Sequence, residues 1–589
     1  MKKVLTLALA LTVGSAAAQT AFVWPAAWTG EQNTANKRGG ELRLSAISDF
    51  KTFNPFTSSE ADSITQRMTE DSAGLFFQDP RTDEFIPYMA ASAPVVSNNN
   101  KRFVVKIRQG MKFSDGQAIT ADDWITTWKI HTDDKVGSNS RDTFFLIGKP
   151  ITVKKLDTYT LQFDFPQPSA SALSIMSYAP WPDHVFGKAY REGGAEAIKK
   201  MWTLATSPSQ LVTPGMWVLE SYRAGERAVF KKNNNWGDWN KDGRGQELPY
   251  LNNLSVRIVA DANAALAAFL AGQLDTVAMR NADDLAQTKK AIDAGNLKAF
   301  LKANVSPQAT SQWITFNWNK ASDPAKQKLF RDVRFRRAMS HIANRQAMVQ
   351  LALGGLGSET YFSTYPIFKQ QIDAGLSAGA PTYKYNLAEA SRLLGQLGYT
   401  KKNAQGFLVN KAGKVLEFNL STNAGNTVRE QLGRIFADEA KKVGVKVNFT
   451  PIDFNTLVSQ LTSKGENRPF DAILLGLSNG DNIWPFGQNV VPCGTNLHSY
   501  NNPTDGKCAT SQEQLMTKLY YQGDAELNDA KRRAIGGQLM KVEGELQPVI
   551  YLVGGNYHVA YNERLGGEFT ANMMDAYYGH RYFPLTFVK

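Results

Sequence analysis

The sequence predicts an α/β protein that is divided into at least two lobes. Its 589 residues exceed what one hydrophobic core usually supports, so the chain should form more than one core. Between residues 415 and 477, segments with the period of strands alternate with segments with the period of helices. The first half instead carries short strand-like segments separated by Gly, Pro and Asn, which is typical of a mixed α+β or α/β arrangement.

The N-terminus has the features of an export signal. Residues 1–18 contain two lysines, an apolar run from Val4 to Val13, and the small residues Ala16 and Ala18. The run is too short for a permanent membrane anchor, so we predict a cleaved secretory signal peptide. No cysteine follows the cleavage point, which predicts that there is no lipid anchor. We expect residues 19–37 to be flexible and the mature protein to act in the periplasm or outside the cell.

The formal charge of +12 says little about a partner, because the basic residues are scattered among 54 acidic ones. The densest basic groups, residues 289–298 and 331–337, are interpreted as solvated helix faces. A nucleic-acid surface would need one continuous basic stripe, so no nucleic-acid partner is expected.

Two cysteines, Cys493 and Cys508, are close in sequence in a chain predicted to be exported. A disulfide between them is favoured over two free thiols and would stabilise the fold by roughly 3 kcal/mol. The spacing matches no zinc pattern, and we expect neither a metal nor a cofactor.

Residues 102–129 gather three aspartates, but a structural explanation accounts for them. Residues 103–107 alternate as a half-buried strand does, and residues 114–116 (Ser-Asp-Gly) form a turn signal. Thr120 and Asp123 have the spacing of a helix capping box, and Trp124 and Trp128 then share one helical face. This pattern predicts strand, turn and capped helix rather than a catalytic or metal site.

Helical spacing continues through residues 331–353, and Asn386 with Glu389 begins another helix. A strand–helix alternation follows, with strands predicted at 415–421, 445–452 and 469–477. Such alternation predicts a mostly parallel sheet with helices on its faces, and its ligands are expected outside the carboxyl ends of the strands.

The loop after residue 477 lies at such a carboxyl end. Asp481 and Trp484 could receive the ammonium and the apolar body of a ligand. Alternatively, Asn479, Gly480 and Asp481 only turn the chain, and Trp484 packs in the core.

Several segments together resemble the extracellular solute-binding proteins of ABC transporters, in the family that holds the dipeptide, oligopeptide and nickel binders. Segment 102–129 is the most specific, since it is close to the family signature around FSDG and the following TADD. The similar segments occur in order over nearly the whole mature chain, at residues 39–56, 102–129, 214–236, 264–277, 330–349 and 386–399.

The resemblance implies a periplasmic-binding-protein-like fold with an enlarged first lobe and a ligand buried between two lobes. We expect lobe I at residues 38–314, with an extra subdomain at about 78–215, and lobe II at 319–548. Residues 549–589 should return to lobe I. The hinge crossings are placed at 313–319 and 548–561.

The resemblance also implies ligand contacts. Asn479, Gly480 and Asp481 match a loop whose aspartate pairs with the α-amine of a bound peptide in the dipeptide binders, although Asn482 stands where proline is common. Phe53 and Asn54 resemble the segment that lies along the ligand backbone, a plain turn at Pro55 being the alternative. The remaining predicted ligand contacts are Trp484, Asn317 and Trp318. No residue matches the arginine that some relatives use for the peptide carboxylate.

The expected function is therefore capture of a di- or oligopeptide without chemistry, and its delivery to a membrane permease by a monomeric binding protein. An oligosaccharide is the nearest alternative, because Trp313, Trp318 and Trp484 could stack on sugar rings. Nickel is disfavoured, since no histidine cluster is predicted in the cleft. A secreted hydrolase is also disfavoured, because the six histidines are isolated and no HExxH, GxSxG or P-loop motif occurs.

Overall fold

The computed structural model describes residues 21–25, 31–58, 63–69, 72–79, 84–308, 310–478, 490–567 and 583–589. Within these ranges two large hydrophobic cores form. The first gathers residues from 22–258 and from 565–587, and the second gathers residues from 313–553. A smaller third cluster lies between residues 266 and 301 and includes Ala560. The chain is therefore an α/β protein with two lobes, as the sequence predicts.

The first lobe contains two four-stranded sheets. One is antiparallel except for its last pair, and its strand order is Trp217–Arg223, Arg227–Lys232, Asn253–Ile258, Glu41–Ala46. The other is antiparallel throughout, in the order Val95–Ser97, Arg102–Lys106, Thr160–Asp164, Thr152–Asp157. Both sheets contribute to one core, so the predicted extra subdomain shares its interior with the rest of the lobe. The longer helices of this lobe are Ile64–Thr69, Ala121–Thr132 and Lys188–Lys200.

The segment at 102–129 folds as predicted. The helix Ala121–Thr132 begins with a capping box, in which the backbone N–H of Thr120 donates to Oδ2 of Asp123 at 2.7 Å. Trp124 and Trp128 are buried in the first core. The acidic residues of this segment therefore serve a turn and a cap.

The N-terminal segment is more ordered than the sequence predicts. Phe22–Val23 pairs in parallel with Asn240–Lys241, and Trp24 is fully buried, with its Nε1 donating to Oδ1 of Asn240 at 2.9 Å. The expectation of a flexible stretch over 19–37 is thus wrong for these residues, because their aromatic side chains pack into the first core.

The second lobe is built on a five-stranded sheet. Its strand order is Lys446–Ile452, Glu417–Asn423, Ala472–Ser478, Thr310–Phe316, Val549–Tyr551. The first three strands are parallel, and Thr310–Phe316 is antiparallel to both of its neighbours. The mostly parallel sheet predicted from the strand–helix alternation is confirmed. The helices of this lobe include Val333–Ile342, Arg345–Ala352, Leu387–Gln396, Thr427–Val443, Phe454–Thr462, Ser511–Ala525 and Asp529–Leu546.

The first crossing between the lobes lies earlier in the chain than predicted, whereas the second lies within the predicted segment 548–561. Residues 313–316 lie inside the second sheet, and Trp313 and Ile314 belong to the second core. The connecting backbone is instead found at 303–308 and 554–558, where Val305 N donates to Tyr557 O at 2.8 Å and Gln308 N to Gly555 O at 2.9 Å. Beyond it, Leu565–Gly566 pairs with Phe587–Val588 in the first lobe.

The third cluster, with helices Ala262–Leu270 and Ala282–Asp293, is attached to the first lobe by a buried carboxylate. The side chain of Asp275 is fully buried and pairs with Arg43 and Arg564. Arg43 lies in the strand Glu41–Ala46 and Arg564 in the returning C-terminal segment, so one carboxylate holds three distant parts of the sequence together.

Three arginines of the second lobe, Arg336, Arg345 and Arg468, are fully buried and bind backbone carbonyls. Arg336, for example, donates to the carbonyls of Phe330, Leu546 and Gln547, which include the end of the helix Asp529–Leu546. The partial negative charge of a helix C-terminus stabilises such a cation. Burial nevertheless lowers the pKa of Arg336 to about 9.

The predicted disulfide is confirmed: Cys493 and Cys508 are bonded, with their Cα atoms 5.4 Å apart. Among the helices that the structure describes, none has both the length and the apolar character that crossing a bilayer requires.

Candidate ligand-binding site between the lobes

The carboxyl ends of the parallel strands meet at one edge of the second sheet. The strands Glu417–Asn423 and Ala472–Ser478 end there, and Thr310–Phe316 begins there because it runs in the opposite direction. The helix Thr427–Val443 also begins at this edge, with Asn426 as its N-cap. This is the edge at which the sequence predicts ligand binding.

Three polar side chains, Gln312, Asn423 and Arg429, meet at this edge. Arg429 donates from Nε to Oε1 of Gln312 at 2.8 Å and from Nη1 to Oδ1 of Asn423 at 2.8 Å. A Cβ at Gly476 would lie only 2.9 Å from Nη2 of Arg429, so glycine leaves the space that this guanidinium occupies. The guanidinium is half-buried and fixed in position, close to the strand that leads into the loop of Asp481.

The first lobe and its third cluster approach the same edge. Nη1 of Arg280 donates to Oγ1 of Thr427 at 2.9 Å, and the N–H of Ala262 donates to the carbonyl of Gly425 at 3.3 Å. Gly425 has a φ of +79°, and a Cβ there would collide with the carbonyl of Ala260. The strand-end edge therefore faces the first lobe.

A second set of contacts joins the lobes around the C-terminal end of the helix Ser511–Ala525. Asp524 accepts a hydrogen bond from Oγ of Ser169 at 3.1 Å, and its backbone carbonyl accepts one from Ala170 N at 2.7 Å. Nearby, Asn496 N donates to Oδ2 of Asp142 at 2.9 Å. The lobes are therefore in contact in two separate regions, which is a closed arrangement.

Both carboxylates in this second region are perturbed by burial. Removal from water raises the pKa of Asp524 to about 6, although hydrogen bonds from Ser169 and Ser171 act in the opposite direction. Burial likewise raises the pKa of Asp142. Charge in this contact region is thus disfavoured while the lobes are together.

The predicted loop contacts Asn479, Gly480, Asp481 and Trp484 lie outside the described residues. The strand that leads into them is described to its last residue, Ser478, which pairs with Thr310. Their role as ligand contacts stays a prediction.

The side chains of Phe53 and Asn54 are packed in the first core, and the expected contact of this segment with the ligand backbone stays a prediction. Asn54 is fully buried, and its Nδ2 donates to the carbonyls of Ile198 and Met201 at 2.7 and 3.1 Å. The ring of Phe53 packs edge-on against Tyr222, with 5.5 Å between ring centroids. Because these side chains are fully used within the lobe, they position the segment rather than present polar groups to a cleft.

Asn317 and Trp318 are also interior residues, for a topological reason. The strand Thr310–Phe316 runs away from the cleft, so Gln312 lies near the ligand edge and residues 317–318 lie beyond the opposite edge. Nδ2 of Asn317 donates to Arg468 O and Phe470 O, and the ring of Trp318 stacks 4.4 Å from the guanidinium carbon of Arg336. Their expected contact with a ligand stays a prediction.

Arg429 is the site residue that the sequence analysis missed. One signal was available: Arg429 lies in the first turn of a helix, where the helix dipole disfavours a cation and favours an acid. A cation at that position, just after a strand that ends at the ligand edge, indicates a role other than helix stability.

Comparison with known proteins agrees with this geometry. A probable ABC transporter-binding protein of Deinococcus radiodurans is 43% identical over the whole length of both chains. The oligopeptide-binding protein AppA of Bacillus subtilis, solved with a nonapeptide, has a TM-score of 0.77 at 22% identity and covers 94% of this chain and 99% of its own. The binding protein MelB of Agrobacterium fabrum, solved with stachyose, has a TM-score of 0.80 at 20% identity, covering 96% and 87%.

These relatives are binding proteins by name, which agrees with the sequence-based expectation of a binding protein rather than an enzyme. The model of the family described as "Bacterial extracellular solute-binding proteins, family 5 Middle" matches residues 84–489, well over half of the sequence. This chain is a member of the family 5 extracellular solute-binding proteins, the substrate-binding components of ABC transporters.

Proposed function

We propose that this protein captures peptides between its two lobes and delivers them to the permease of an ABC importer. The observation that carries the proposal is the position of Arg429, a fixed guanidinium at the strand-end edge, bonded to Gln312 and Asn423. A peptide has a positive amine and a negative carboxylate, and Asp481 and Arg429 supply one opposite charge for each.

The binding mechanism follows from the position of the groups. Asp481 pairs with the α-amine, and Arg429 receives the carboxylate, for which the planar guanidinium fork is well suited. A ligand that touches both lobes binds the closed form better than the open form, so it shifts the population toward closure. Separation of the lobes releases the peptide unchanged.

An oligosaccharide is the second candidate, supported by the likeness in fold to the stachyose-bound MelB. Two of the three tryptophans considered as stacking platforms, Trp313 and Trp318, are buried in the second core and serve other contacts. The peptide proposal therefore has the stronger support on this chain.

Calorimetry with matched peptides tests the proposal. Arg429→Gln should weaken binding of a peptide with a free carboxylate at least tenfold, about 1.4 kcal/mol, and should change binding of the corresponding C-terminal amide much less. Asp481→Ala should weaken both at least tenfold while leaving the fold intact. Arg434→Gln is the matched control, since Arg434 is exposed on the same helix.

The outcomes separate the two candidates. Mass spectrometry of the ligand that co-purifies with the protein identifies its class directly. Binding of stachyose together with no binding of any peptide would reject the peptide proposal and support the sugar. Equal loss of affinity for the free acid and the amide in Arg429→Gln would reject the carboxylate contact.

We also propose that the exported protein is a monomer without a lipid anchor, cut after residue 18. Intact mass and N-terminal sequencing of the secreted protein test the cleavage site, and light scattering tests the monomer.

A further inference from the structure

Three side chains with metal-binding atoms meet at the base of the loop closed by the disulfide, and a fourth, Cys508, is bonded to one of them. Ligand atoms of Cys493, His498 and Glu513 all lie within 4.8 Å of one another, and the sulfur of Cys508 is bonded to that of Cys493. One sulfur, one imidazole nitrogen and one carboxylate oxygen lie together, and the second sulfur is next to the first; this donor set suits tetrahedral zinc.

The environment of His498 is unusual. Its ring is fully buried, with Nδ1 3.0 Å from the carbonyl of Val490 and Nε2 3.2 Å from Oε1 of Glu513. A neutral imidazole has a single N–H and cannot donate to two acceptors. The Nδ1–H to backbone carbonyl bond is the arrangement found behind metal-bound histidines, and it directs the lone pair of Nε2 toward Glu513.

The other ligand atoms are also held in place. Asn501 donates to Oε1 of Glu513 at 2.9 Å, and Oγ1 of Thr510 donates to Oε2 at 3.1 Å. Oγ1 of Thr517 lies 3.4 Å from the sulfur of Cys493 and donates to it. Such supporting hydrogen bonds orient ligands before a metal arrives and raise its affinity.

We propose that the chain binds one zinc ion through Cys493, Cys508, His498 and Glu513 when the two cysteines are reduced. A newly exported chain carries thiols, so no reductant is required to form this state. Binding displaces the two thiol protons and leaves Nε2 unprotonated, with no change in oxidation state. Disulfide formation then joins the two sulfurs, passes two electrons to the disulfide of an oxidising thiol–disulfide protein, which takes up two protons from water, and releases the ion.

The zinc ion and the disulfide close the same loop, so they are alternative cross-links between the two ends of residues 493–508. The ion would hold the two cysteines and the start of the helix Ser511–Ala525 in their final positions before oxidation. This site is separate from the ligand edge and does not depend on the identity of the solute.

Cobalt is the spectroscopic probe, since a thiolate-bound tetrahedral Co²⁺ ion has intense charge-transfer and d–d bands. The full mature chain, reduced with a phosphine, should bind one Co²⁺ and exchange it for Zn²⁺, whereas the oxidised chain should give no thiolate band. His498→Gln and Glu513→Gln should each weaken binding of both ions at least tenfold. His341→Gln is the matched control, as His341 lies away from the cluster.

The variants are first compared with the wild type in the oxidised state by circular dichroism, so that a folding defect is recognised. If His498→Gln does not fold, the thermal midpoint of the reduced wild type with and without Zn²⁺ gives a second measurement, and a rise is expected. Absence of a thiolate band in the reduced wild type, or unchanged affinity in both variants, would overturn the proposal. The latter outcome would indicate chelation by the two thiols alone.

Discussion

Asp524 lies at the contact between the lobes, and its replacement by asparagine should change how closure depends on pH. Burial raises the pKa of this carboxyl to about 6 in the closed arrangement. Separation of the lobes would return it to water and to an ordinary pKa of about 4. The closed form therefore keeps a proton that the open form releases, so falling pH favours closure and rising pH weakens it.

The size of the effect follows from the same difference. A pKa rise of this size corresponds to about 3 kcal/mol of free energy. The equilibrium between the open and closed forms shifts by that amount toward closure as the pH falls from above 6 to about 4. Asp524→Asn is neutral at every pH and keeps an acceptor for Ser169, so it should favour the closed form at neutral pH and lose this pH dependence. The charged or titratable neighbours are Arg532, Tyr520 and Tyr521, and burial raises the pKa of both tyrosines, so neither ionises over this range.

Small-angle X-ray scattering of the ligand-free protein at about pH 4.5 and about pH 7.5 measures the effect as a change in the radius of gyration. Asp373→Asn is the control, since Asp373 is exposed on the second lobe. Burial also raises the pKa of Asp142. The radius of gyration should therefore change less with pH in the double variant Asp142→Asn, Asp524→Asn than in Asp524→Asn alone. The burial argument would be refuted if the radius of gyration of the wild type did not change with pH, or if that of Asp524→Asn changed by the same amount.

Three further predictions concern the stability of the fold. Arg336→Met should lower the free energy of unfolding by about 3 kcal/mol, because three buried carbonyls lose their hydrogen-bond donor. Urea unfolding measures this loss. Arg334→Gln is the control and should have little effect, since Arg334 is exposed. Burial among aromatic rings lowers the pKa of His131 to about 3. Between that value and the ordinary pKa of about 6.5, the unfolded chain binds a proton at this histidine and the folded chain does not. The free energy of unfolding should therefore fall by about 1.4 kcal/mol for each pH unit below about 6.5, and His131→Phe should remove that slope. Replacing Cys493 and Cys508 by serine should lower the free energy of unfolding by about 3 kcal/mol, and an unchanged thermal midpoint would contradict a stabilising role for the closed loop.

The fold was largely predictable because local patterns and tertiary packing agree. Thr120 and Asp123 form the capping box that their spacing indicates, and the strand–helix alternation after residue 415 gives the parallel part of the second sheet. The first crossing was misplaced, since an apolar strand such as Thr310–Phe316 has the same pattern at a hinge as inside a sheet. The packing of Trp24 could not be foreseen either, because its partner Asn240 is 216 residues away.

The site was less predictable because it depends on strand direction. Gln312 and Asn317 are five residues apart on one segment, yet the first lies near the ligand edge and the second beyond the opposite edge. Only the antiparallel pairing of Thr310–Phe316 with Ala472–Ser478 decides between them, and no local pattern reports that pairing. The same holds for Arg429, whose partners Gln312 and Asn423 come from two different strands.

The contacts between the lobes suit reversible closure. The described interlobe hydrogen bonds come from serine, asparagine, glutamine, arginine and backbone groups, as in Ser169 to Asp524, Asn496 to Asp142 and Arg280 to Thr427. Such groups can bind water equally well when the lobes separate. The two large cores contain almost no residue in common, so opening exposes little apolar surface. The free energy between the open and closed forms is therefore small without a ligand, and a solute that contacts Arg429 and the facing lobe needs to supply only a few kcal/mol to shift the population.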